Sequence, residues 1–273
     1  TARTDLSADV ARLRSGGHHA PHSLLGVHPG DSGVVVRCFH PDAISIKVAH
    51  AGGEVTMERV HDAGLFEAHI PVRSLQGYRL KLHDEYHAWE QDDPYRFLPT
   101  LGELDLHLIS EGTHRELWRR LGARVIEHQG VRGTAFSVWA PNARGVHLVS
   151  DATAWDDRVY PMRSLGTAGV WEIFLPRVGH GTKYKFRITR ADGRQVLKAD
   201  PLARWTEQPP ATASIVEESH HRWADRSWLD QRSAGALIER PLSVYEVHLG
   251  SWKRSPDGHM IDYRQLAQEL ADY

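Results

Sequence analysis

The sequence is poor in cysteine and lacks long hydrophobic runs. A single cysteine, Cys38, stands among 273 residues, so an internal disulfide is excluded. It lies in the apolar stretch 34–39 and is interpreted as a small core residue. No apolar run approaches the roughly 20 residues that a membrane-spanning helix needs, and no signal-type segment begins the sequence. These features predict a reducing, cytoplasmic setting without membrane association.

Strong net charge and metal-ligand motifs are also missing. The net charge is −2 and the pI about 6.8, which gives no electrostatic footprint for nucleic acid. The 19 histidines are scattered, and neither an H-E-x-x-H nor a C-x-x-C frame accompanies them. The histidines are therefore interpreted as solvated loop residues. The sequence predicts no metal site and implies no cofactor.

What the sequence does contain is short segments of strand character. Its length predicts about two domains, and 41% hydrophobic residues suffice for ordinary cores. Leu6, Val10 and Leu13 have helical spacing, and Gly16 and Gly17 should end that helix. Alternating or β-rich apolar runs then predict strands over residues 33–40, 44–49, 65–70 and 78–82.

The first half of the sequence recurs in the second half. V-R-C-F-H-P (36–41) parallels F-S-V-W-A-P (136–141), and G-L-F-E-A-H-I-P (64–71) parallels G-V-W-E-I-F-L-P (169–176). Residues 77–82 parallel 182–188, and D-P-Y (93–95) parallels D-P-L (200–202). Four landmarks in one order predict two copies of one β-sandwich. Residues 117–124 are predicted to connect them as a short helical linker.

The end of the sequence has a different pattern. Residues 243–252, S-V-Y-E-V-H-L-G-S-W, form a nearly continuous apolar run, which is typical of a strand buried on both faces in a parallel sheet. Glu246 and His248 interrupt that run and would need partners. Beyond a polar loop, Tyr263, Leu266 and Leu270 are spaced as on an amphipathic helix. One such strand–helix unit cannot fold alone.

Several of these segments resemble known families. The run V-Y-E-V-H-L-G-S-W resembles the first barrel strand of the α-amylase superfamily, glycoside hydrolase family 13. Within that superfamily, the glycogen branching enzymes are the most similar, through L-L-G-V-H (24–28), D-D-P-Y-R-F (92–97) and L-I-S-E-G-T-H (108–114). A family-48 carbohydrate-binding module is similar to G-T-A-F-S-V-W-A-P-N (133–142) and P-A-T-A-S (210–214).

The resemblance implies a mainly β fold: two tandem immunoglobulin-like β-sandwiches, then the first βα unit of a (β/α)8 barrel. The implied segments are an N-terminal helical segment (1–18), the first sandwich (19–114), the second sandwich or carbohydrate-binding module (115–232) and the start of the barrel (233–273). Trp223 and Trp228 lie in the connection into the barrel, and they are predicted to pack the module against it.

The resemblance also implies a reaction. A branching enzyme cuts an α-1,4-glucan, holds the piece as a covalent glycosyl-enzyme and transfers it to a 6-hydroxyl. The required pair of carboxylates sits on later barrel strands. Their motifs are absent from this sequence, and Glu246 is not predicted to be catalytic, so we expect no catalytic residue here and no activity from this chain alone. The implied partner is an α-1,4-glucan, bound by a monomer.

Two alternatives stay open. The first is the corresponding region of a debranching or trehalose-forming relative, which L-I-S-E-G-T-H and the doubled sandwich disfavour. The second is a stand-alone glucan-binding adaptor, which the terminal strand–helix unit disfavours.

Trp155 and Lys185 are the candidate glucan-binding residues. Lys183, Lys185 and Arg187 alternate with apolar residues, which predicts the basic side chains on the outer face of a strand and the aromatic ones in the core. In the resembling modules a sugar stacks on the tryptophan equivalent to Trp155 and a lysine equivalent to Lys185 reaches it. This loop reads S-D-A-T-A-W-D where the family pattern is G-x-F-N-x-W-D. The alternative for Trp155 is structural packing, and for the strand residues Trp139 and Trp171 a core position is predicted.

Overall fold

Within the part of the chain that the structure describes, short strands with alternating or continuous apolar residues build four antiparallel sheets. The computed structural model describes residues 6–235 and 241–273, and the chain divides into two units between Ser219 and His220. Among the described residues, no helix is both long enough and apolar enough to cross a membrane. The prediction of a mainly β fold is confirmed.

Two sheets of the first unit face each other across a core that includes Val36, Ile46, Phe66 and Leu80. Their strands are β1 (Gly26–Gly30), β2 (Gly33–Phe39), β3 (Ser45–His50), β4 (Gly53–Thr56), β5 (Glu58–His61), β6 (Leu65–Ile70), β7 (Arg79–His83) and β8 (Ala88–Asp92). The strand orders are β1-β2-β6-β5 in one sheet and β4-β3-β7-β8 in the other. In β7, Leu80 and Leu82 are buried while His83 is exposed, as the alternation predicts.

The other two sheets enclose a core that includes Phe136, Leu148, Tyr184 and Phe186. Their orders are β12-β13-β10-β9 and β11-β14-β17-β16, and β15 also pairs with β14. The strands are β9 (Gly122–His128), β10 (Val131–Trp139), β11 (Ala143–Ser150), β12 (Arg163–Ser164), β13 (Val170–Pro176), β14 (Lys183–Arg190), β15 (Gln195–Lys198), β16 (Trp205–Thr206) and β17 (Ser214–Ile215).

The two copies of the sequence repeat share a tyrosine–aspartate hydrogen bond at equivalent positions. The Tyr78 hydroxyl donates to Asp93 Oδ2 at 2.6 Å, and the Tyr184 hydroxyl donates to Asp200 Oδ2 at 2.6 Å. Burial raises the pKa of Asp93 to about 6 and also raises the pKa of Asp200. A buried carboxyl needs such a partner, which explains why both copies keep an Asp-Pro pair opposite a tyrosine. The exact domain bounds stay a prediction.

Helices and side chains join the two sandwiches within the first unit. Val10 and Leu13 of α1 (Ser7–Ser15) belong to the same buried cluster as Phe136, and Gly16 ends α1 in a left-handed conformation, as predicted. The Tyr95 hydroxyl donates to the carbonyls of Val159 and Pro161 at 3.3 and 3.2 Å.

The connection between the sandwiches differs from the prediction. A helix, α2 (Glu103–Glu111), was not predicted, because its stretch was interpreted only as a family motif. The predicted helical linker over 117–124 is a single 3-10 turn, Leu117–Arg119, and β9 then begins at Gly122.

The second unit contains α3 (Arg226–Ser233), α4 (Leu249–Trp252) and α5 (Tyr263–Asp272). The predicted helix is confirmed in α5, whose first turn is capped where Asp262 Oδ1 accepts the Arg264 and Gln265 amides at 2.9 Å. Trp223 and Trp228 are exposed, by 80% and 56%. Residues 236–240, part of the predicted barrel start, lie outside the described residues.

The predicted buried strand over 244–249 is wrong. No strand lies there, Val244 is 80% exposed, and Glu246 and His248 are also exposed. A strand of a parallel sheet needs hydrogen-bonded neighbours, and within residues 241–273 the only β-pairing is one isolated bridge between Arg254 and Met260. Without neighbours the apolar pattern cannot by itself form a strand.

Hydrogen exchange should distinguish residues 244–248 from the strands of the sandwiches. Amides 244–248 should exchange at nearly the rate of an unstructured peptide, because they lie outside any described sheet or helix. Amides of β13, buried in the core, should be protected by several orders of magnitude and serve as the control. Exchange of the intact chain, followed by peptide mass spectrometry, measures both. Strong protection over 244–248 would contradict the prediction.

Candidate functional site

Trp155 lies in the loop after β11, and 41% of its surface is exposed. The loop begins with a reciprocal cap: the Ser150 hydroxyl accepts the Ala152 amide at 3.2 Å, and the Thr153 hydroxyl accepts the Ser150 amide at 3.1 Å. The Trp155 indole N–H donates to Asp151 Oδ1 at 3.0 Å. These bonds fix the loop without the glycine and Phe-Asn of the family pattern.

Two residues at the tip of this loop adopt left-handed backbone conformations. Ala154 has φ 49° and Trp155 has φ 62°. Such a conformation is unusual for a bulky residue and costs on the order of 1–3 kcal/mol. The Trp155 amide donates to the Ser150 carbonyl at 3.0 Å, which helps to impose the turn. Strained residues of this kind cluster at binding sites.

Asp151 connects the Trp155 loop to β14. One carboxylate oxygen accepts the Trp155 indole, and the other accepts the Lys183 amide at 2.8 Å. Two positions further along β14, Lys185 Nζ donates to the Thr212 hydroxyl at 2.6 Å. Asp151 thus joins the Trp155 loop to β14, the strand that carries Lys185, although it has no contact with Lys185 itself.

The outer face of β14 is open only at its beginning. The side chain of Lys183 is exposed and that of Lys185 is half-buried, but Arg187 is buried although it lies on the predicted outer face of the strand. The Arg187 guanidinium lies 3.3 Å from Asp157, and Gln195, beside it, donates to the Ser15 carbonyl at 3.2 Å. The end of α1 and strand β15 therefore cover this part of the face, which strand alternation alone could not reveal.

The structure adds a second tryptophan to this face. Trp205 and Lys183 both pair with Ile215, so all three side chains point to the same side of the sheet. Trp205 is 47% exposed and stacks on His180, with ring centroids 5.8 Å apart. Trp205 could not be predicted as a site residue from local sequence, because β16 and β17 have two residues each, too few for a periodic pattern.

The two strand tryptophans predicted in the core have different environments. Trp171 is 4% exposed, which confirms its prediction, but Trp139 is 57% exposed, so its prediction is wrong. Trp139 ends β10, donates its indole N–H to the Ala168 carbonyl at 3.1 Å and borders an apolar depression of about 340 Å³ beside α2. Trp139 pairs with Val170, and its side chain lies on the opposite face of the sheet from the core residue Val138, because successive side chains of a strand alternate.

The electrostatics of the face suit binding rather than acid–base chemistry. Lys183 Nζ lies 2.8 Å from Glu207 Oε1; the pair lowers the pKa of Glu207 and raises that of Lys183, so both stay charged near neutral pH. In the part of the chain that the structure describes, no group of His, Cys, Asp and Glu side chains could hold a metal ion. Exposed indole rings can stack on the apolar faces of sugars, and the fixed polar groups beside them can form hydrogen bonds with the sugar hydroxyls.

Comparisons with known families match two consecutive parts of the chain. Residues 6–95 match the family model described as alpha-1,4-glucan branching enzyme GlgB, N-terminal domain. Residues 120–203 match Carbohydrate-binding module 48 (Isoamylase N-terminal domain), a range that includes Trp155 and Lys185 but ends before Trp205. The resemblance inferred from the sequence is confirmed.

Curated relatives agree with both matches. The chain is 52% identical to 1,4-alpha-glucan branching enzyme GlgB 1 of Streptomyces avermitilis, over 97% of this chain and 31% of the relative. It is 50% identical to GlgB 1 of Streptomyces coelicolor (98% and 34%) and 46% identical to GlgB of Myxococcus xanthus (99% and 38%). The chain thus spans about a third of the length of these relatives.

Proposed function

We propose that this chain is the N-terminal, glucan-holding part of a 1,4-α-glucan branching enzyme. The observation that carries the proposal is the pair of consecutive family matches, to a branching-enzyme N-terminal domain and to a carbohydrate-binding module. The whole enzyme would move an α-1,4-glucan segment to a 6-hydroxyl, without a cofactor and as a cytoplasmic monomer. The proposed division is a helical segment (1–18), two sandwiches (19–114 and 115–232) and the start of a barrel (233–273).

The match over residues 6–95 favours this proposal over the alternatives. A debranching or trehalose-forming enzyme would explain the carbohydrate-binding module but not the branching-enzyme N-terminal domain. A stand-alone adaptor would not explain why identity near 50% continues over 97% of the chain, into the segment where a barrel strand was expected.

Trp155 and Lys185 are the proposed α-glucan contacts. The exposed face of the Trp155 ring supplies the flat apolar surface on which a glucosyl ring stacks, and Asp151 fixes its orientation through the indole N–H. Lys185, held by the Thr212 hydroxyl, offers further N–H donors to the sugar hydroxyls. The first sandwich has His50-Ala51-Gly52-Gly53 at the corresponding loop, with no indole ring to stack on.

Replacing Trp155 with alanine tests this site. Affinity for maltoheptaose should fall on the order of tenfold, because a stacked aromatic contact is worth roughly 0.5–1.5 kcal/mol beyond its buried area. The melting temperature should stay unchanged, since the ring is partly exposed. Calorimetric titration and thermal unfolding should be measured on the same protein.

Trp118→Ala is the matched control, because Trp118 is 54% exposed and lies in the 3-10 turn Leu117–Arg119, which is part of neither the Trp155 loop nor β14. Its affinity should equal that of the unsubstituted chain. A destabilisation of about 3–5 kcal/mol in Trp155→Ala, or an unchanged affinity for maltoheptaose, would show that Trp155 packs in the fold and does not bind glucan.

A further inference from the structure

A cavity of about 540 Å³ lies between the two sandwiches of the first unit. Its wall on the first sandwich includes Trp89 and Gln91 of β8, and its wall on the second sandwich includes Ala152 and Ala154 of the Trp155 loop. The volume falls within the range of roughly 300–1,000 Å³ that small-molecule sites occupy. Neither Trp155 nor Lys185, the two proposed glucan contacts, lines it.

The cavity exists because β8 is an edge strand. β8 ends the order β4-β3-β7-β8, and Trp89 pairs with Leu82, so its side chain points toward the core side of the sheet. At the edge the opposing sheet no longer covers this side, and the ring stays half-buried. The Trp155 loop of the second sandwich closes the gap only in part.

An ion pair fixes the two walls relative to each other. Arg158, on the second sandwich, donates through Nη1 to Asp42 Oδ1 of the first at 3.3 Å. The same guanidinium donates through Nε to Asp156 Oδ1 at 2.9 Å. Asp156 belongs to the same sandwich as Arg158 and orients its guanidinium, so the Asp42 contact is the one that joins the two walls at the rim.

The walls combine aromatic rings with polar groups. The Trp89 indole N–H donates to Gln91 Oε1 at 3.1 Å, and the His40 ring centroid lies 5.4 Å from the Trp89 ring. His40 Nδ1 is buried and finds no hydrogen-bond partner among the described residues. Burial lowers the pKa of His40, so the imidazole is neutral near pH 7 and can act as both donor and acceptor.

The charge of the cavity restricts its ligand. Asp42, Asp84 and Asp156 line it, and the neighbouring cation Arg158 is already bonded to two of these carboxylates. Excess negative charge disfavours phosphates, nucleotides and carboxylate ligands. Carboxylates accept hydrogen bonds from hydroxyls, and indole rings stack on pyranose faces, so the chemistry favours a neutral sugar.

We infer that this cavity is a second carbohydrate site, which takes a short α-1,4-glucan segment about the size of maltotriose. The choice of an α-glucan rests on the proposed function; the choice of a neutral sugar rests on the cavity itself. Ala152 and Ala154 contact the cavity while Trp155 belongs to the outer face, so one loop borders both sites. Two glucan segments would thus be held on the two sides of the same loop.

Nuclear magnetic resonance of the ¹⁵N-labelled chain distinguishes the two sites, because each tryptophan contributes its own indole N–H signal. Trp→Phe substitutions assign the signals of Trp89 and Trp155. Maltotriose should shift both signals saturably, and in Trp155→Ala the Trp89 signal should still shift with its dissociation constant changed less than threefold. A Trp89 signal that stays still in both proteins at millimolar maltotriose overturns the cavity site.

Two substitutions make the assignment firmer. Trp89→Leu should weaken the cavity binding at least tenfold, read from the peptide amide signals of residues 152–154, while the Trp155 signal shifts as before. If Trp89→Leu does not fold, Ala152→Phe fills the cavity from the opposite wall and should abolish the Trp89 shift. An unchanged shift in Ala152→Phe contradicts the proposal.

Further ligands separate the failure of this inference from that of the proposed function. A Trp89 signal that moves while Trp155 stays still supports the cavity and rejects the outer face. Movement of Trp155 alone does the reverse. The β-1,4-linked cellotriose should shift Trp89 at least tenfold more weakly than maltotriose; an equal response overturns the α-glucan assignment.

Discussion

The 273-residue chain should form no new α-1,6 linkages when it is incubated with amylose. Retaining transfer between glucans needs a nucleophile and an acid/base carboxyl about 5–5.5 Å apart, and the acid must have a raised pKa. Among the described residues, burial raises the pKa of only two carboxyls, Asp93 and Asp200. Each accepts a tyrosine hydroxyl inside a sandwich core, and they are 1% and 6% exposed. The two carboxyls belong to different sandwiches, so they do not form the pair that this reaction needs.

The measurement is the anomeric proton signal of α-1,6 linkages, followed for hours with purified chain. A full-length relative, such as GlgB 1 of Streptomyces avermitilis, assayed in parallel shows that the substrate and detection work. New linkages that persist after further purification would contradict the prediction and place chemistry in the sandwiches. Asp93→Asn would then be the first variant to assay, because Asp93 also borders the cavity between them.

Much of the sandwich architecture could be predicted from local patterns. Leu80 and Leu82 alternate with polar residues on a half-buried strand, and period two is enough to define such a strand and its inner face. The repeat could be recognised in the sequence because each sandwich core contains a buried Asp that accepts a tyrosine hydroxyl, from Tyr78 in one copy and from Tyr184 in the other. Both copies therefore keep these residue types at equivalent positions.

Other features depend on what covers a residue, which local sequence does not record. Arg187 alternates like an outer residue, yet α1 and β15 bury it. Trp139 is an apolar residue of a strand, yet its side chain lies on the face opposite to that of Val138, away from the core, and is exposed. The apolar run over 244–249 has strand character, but strand formation needs hydrogen-bonded neighbours that the described part of its unit does not supply.

The candidate site was predicted only in part, because some of its contacts join residues that are far apart in the sequence. The resemblance identified Trp155 and Lys185, but Asp151 joins the Trp155 loop to β14 through the indole N–H of Trp155 and the backbone amide of Lys183, which are far apart in the sequence. Trp205 belongs to the same face only through the pairing register of two-residue strands. The cavity forms where the two sandwiches pack together, so a sequence motif within one sandwich cannot predict it.

Replacing Glu172 with alanine should destabilise the chain by about 3–5 kcal/mol, the range observed when one partner of a buried ion pair is removed. Glu172 is fully buried on β13. Its carboxylate lies 3.1 Å from Arg163 Nη2 and accepts the amides of Thr100 and Leu101 at 2.9 and 3.2 Å. Alanine would leave the Arg163 guanidinium and both amides without this acceptor. Urea unfolding, monitored by tryptophan fluorescence, measures the change in the free energy of unfolding.

The chain provides its own matched control, because Glu67 occupies the same position of the repeat in β6. Its side chain is 16% exposed and lies 2.7 Å from Arg37, whose side chain is 21% exposed. Water can therefore solvate Arg37 when its partner is removed, and Glu67→Ala should cost about 1 kcal/mol or less. Equal losses in the two variants would show that burial does not govern the difference. A loss below about 1 kcal/mol in Glu172→Ala would show that this carboxylate contributes no more than a surface charge.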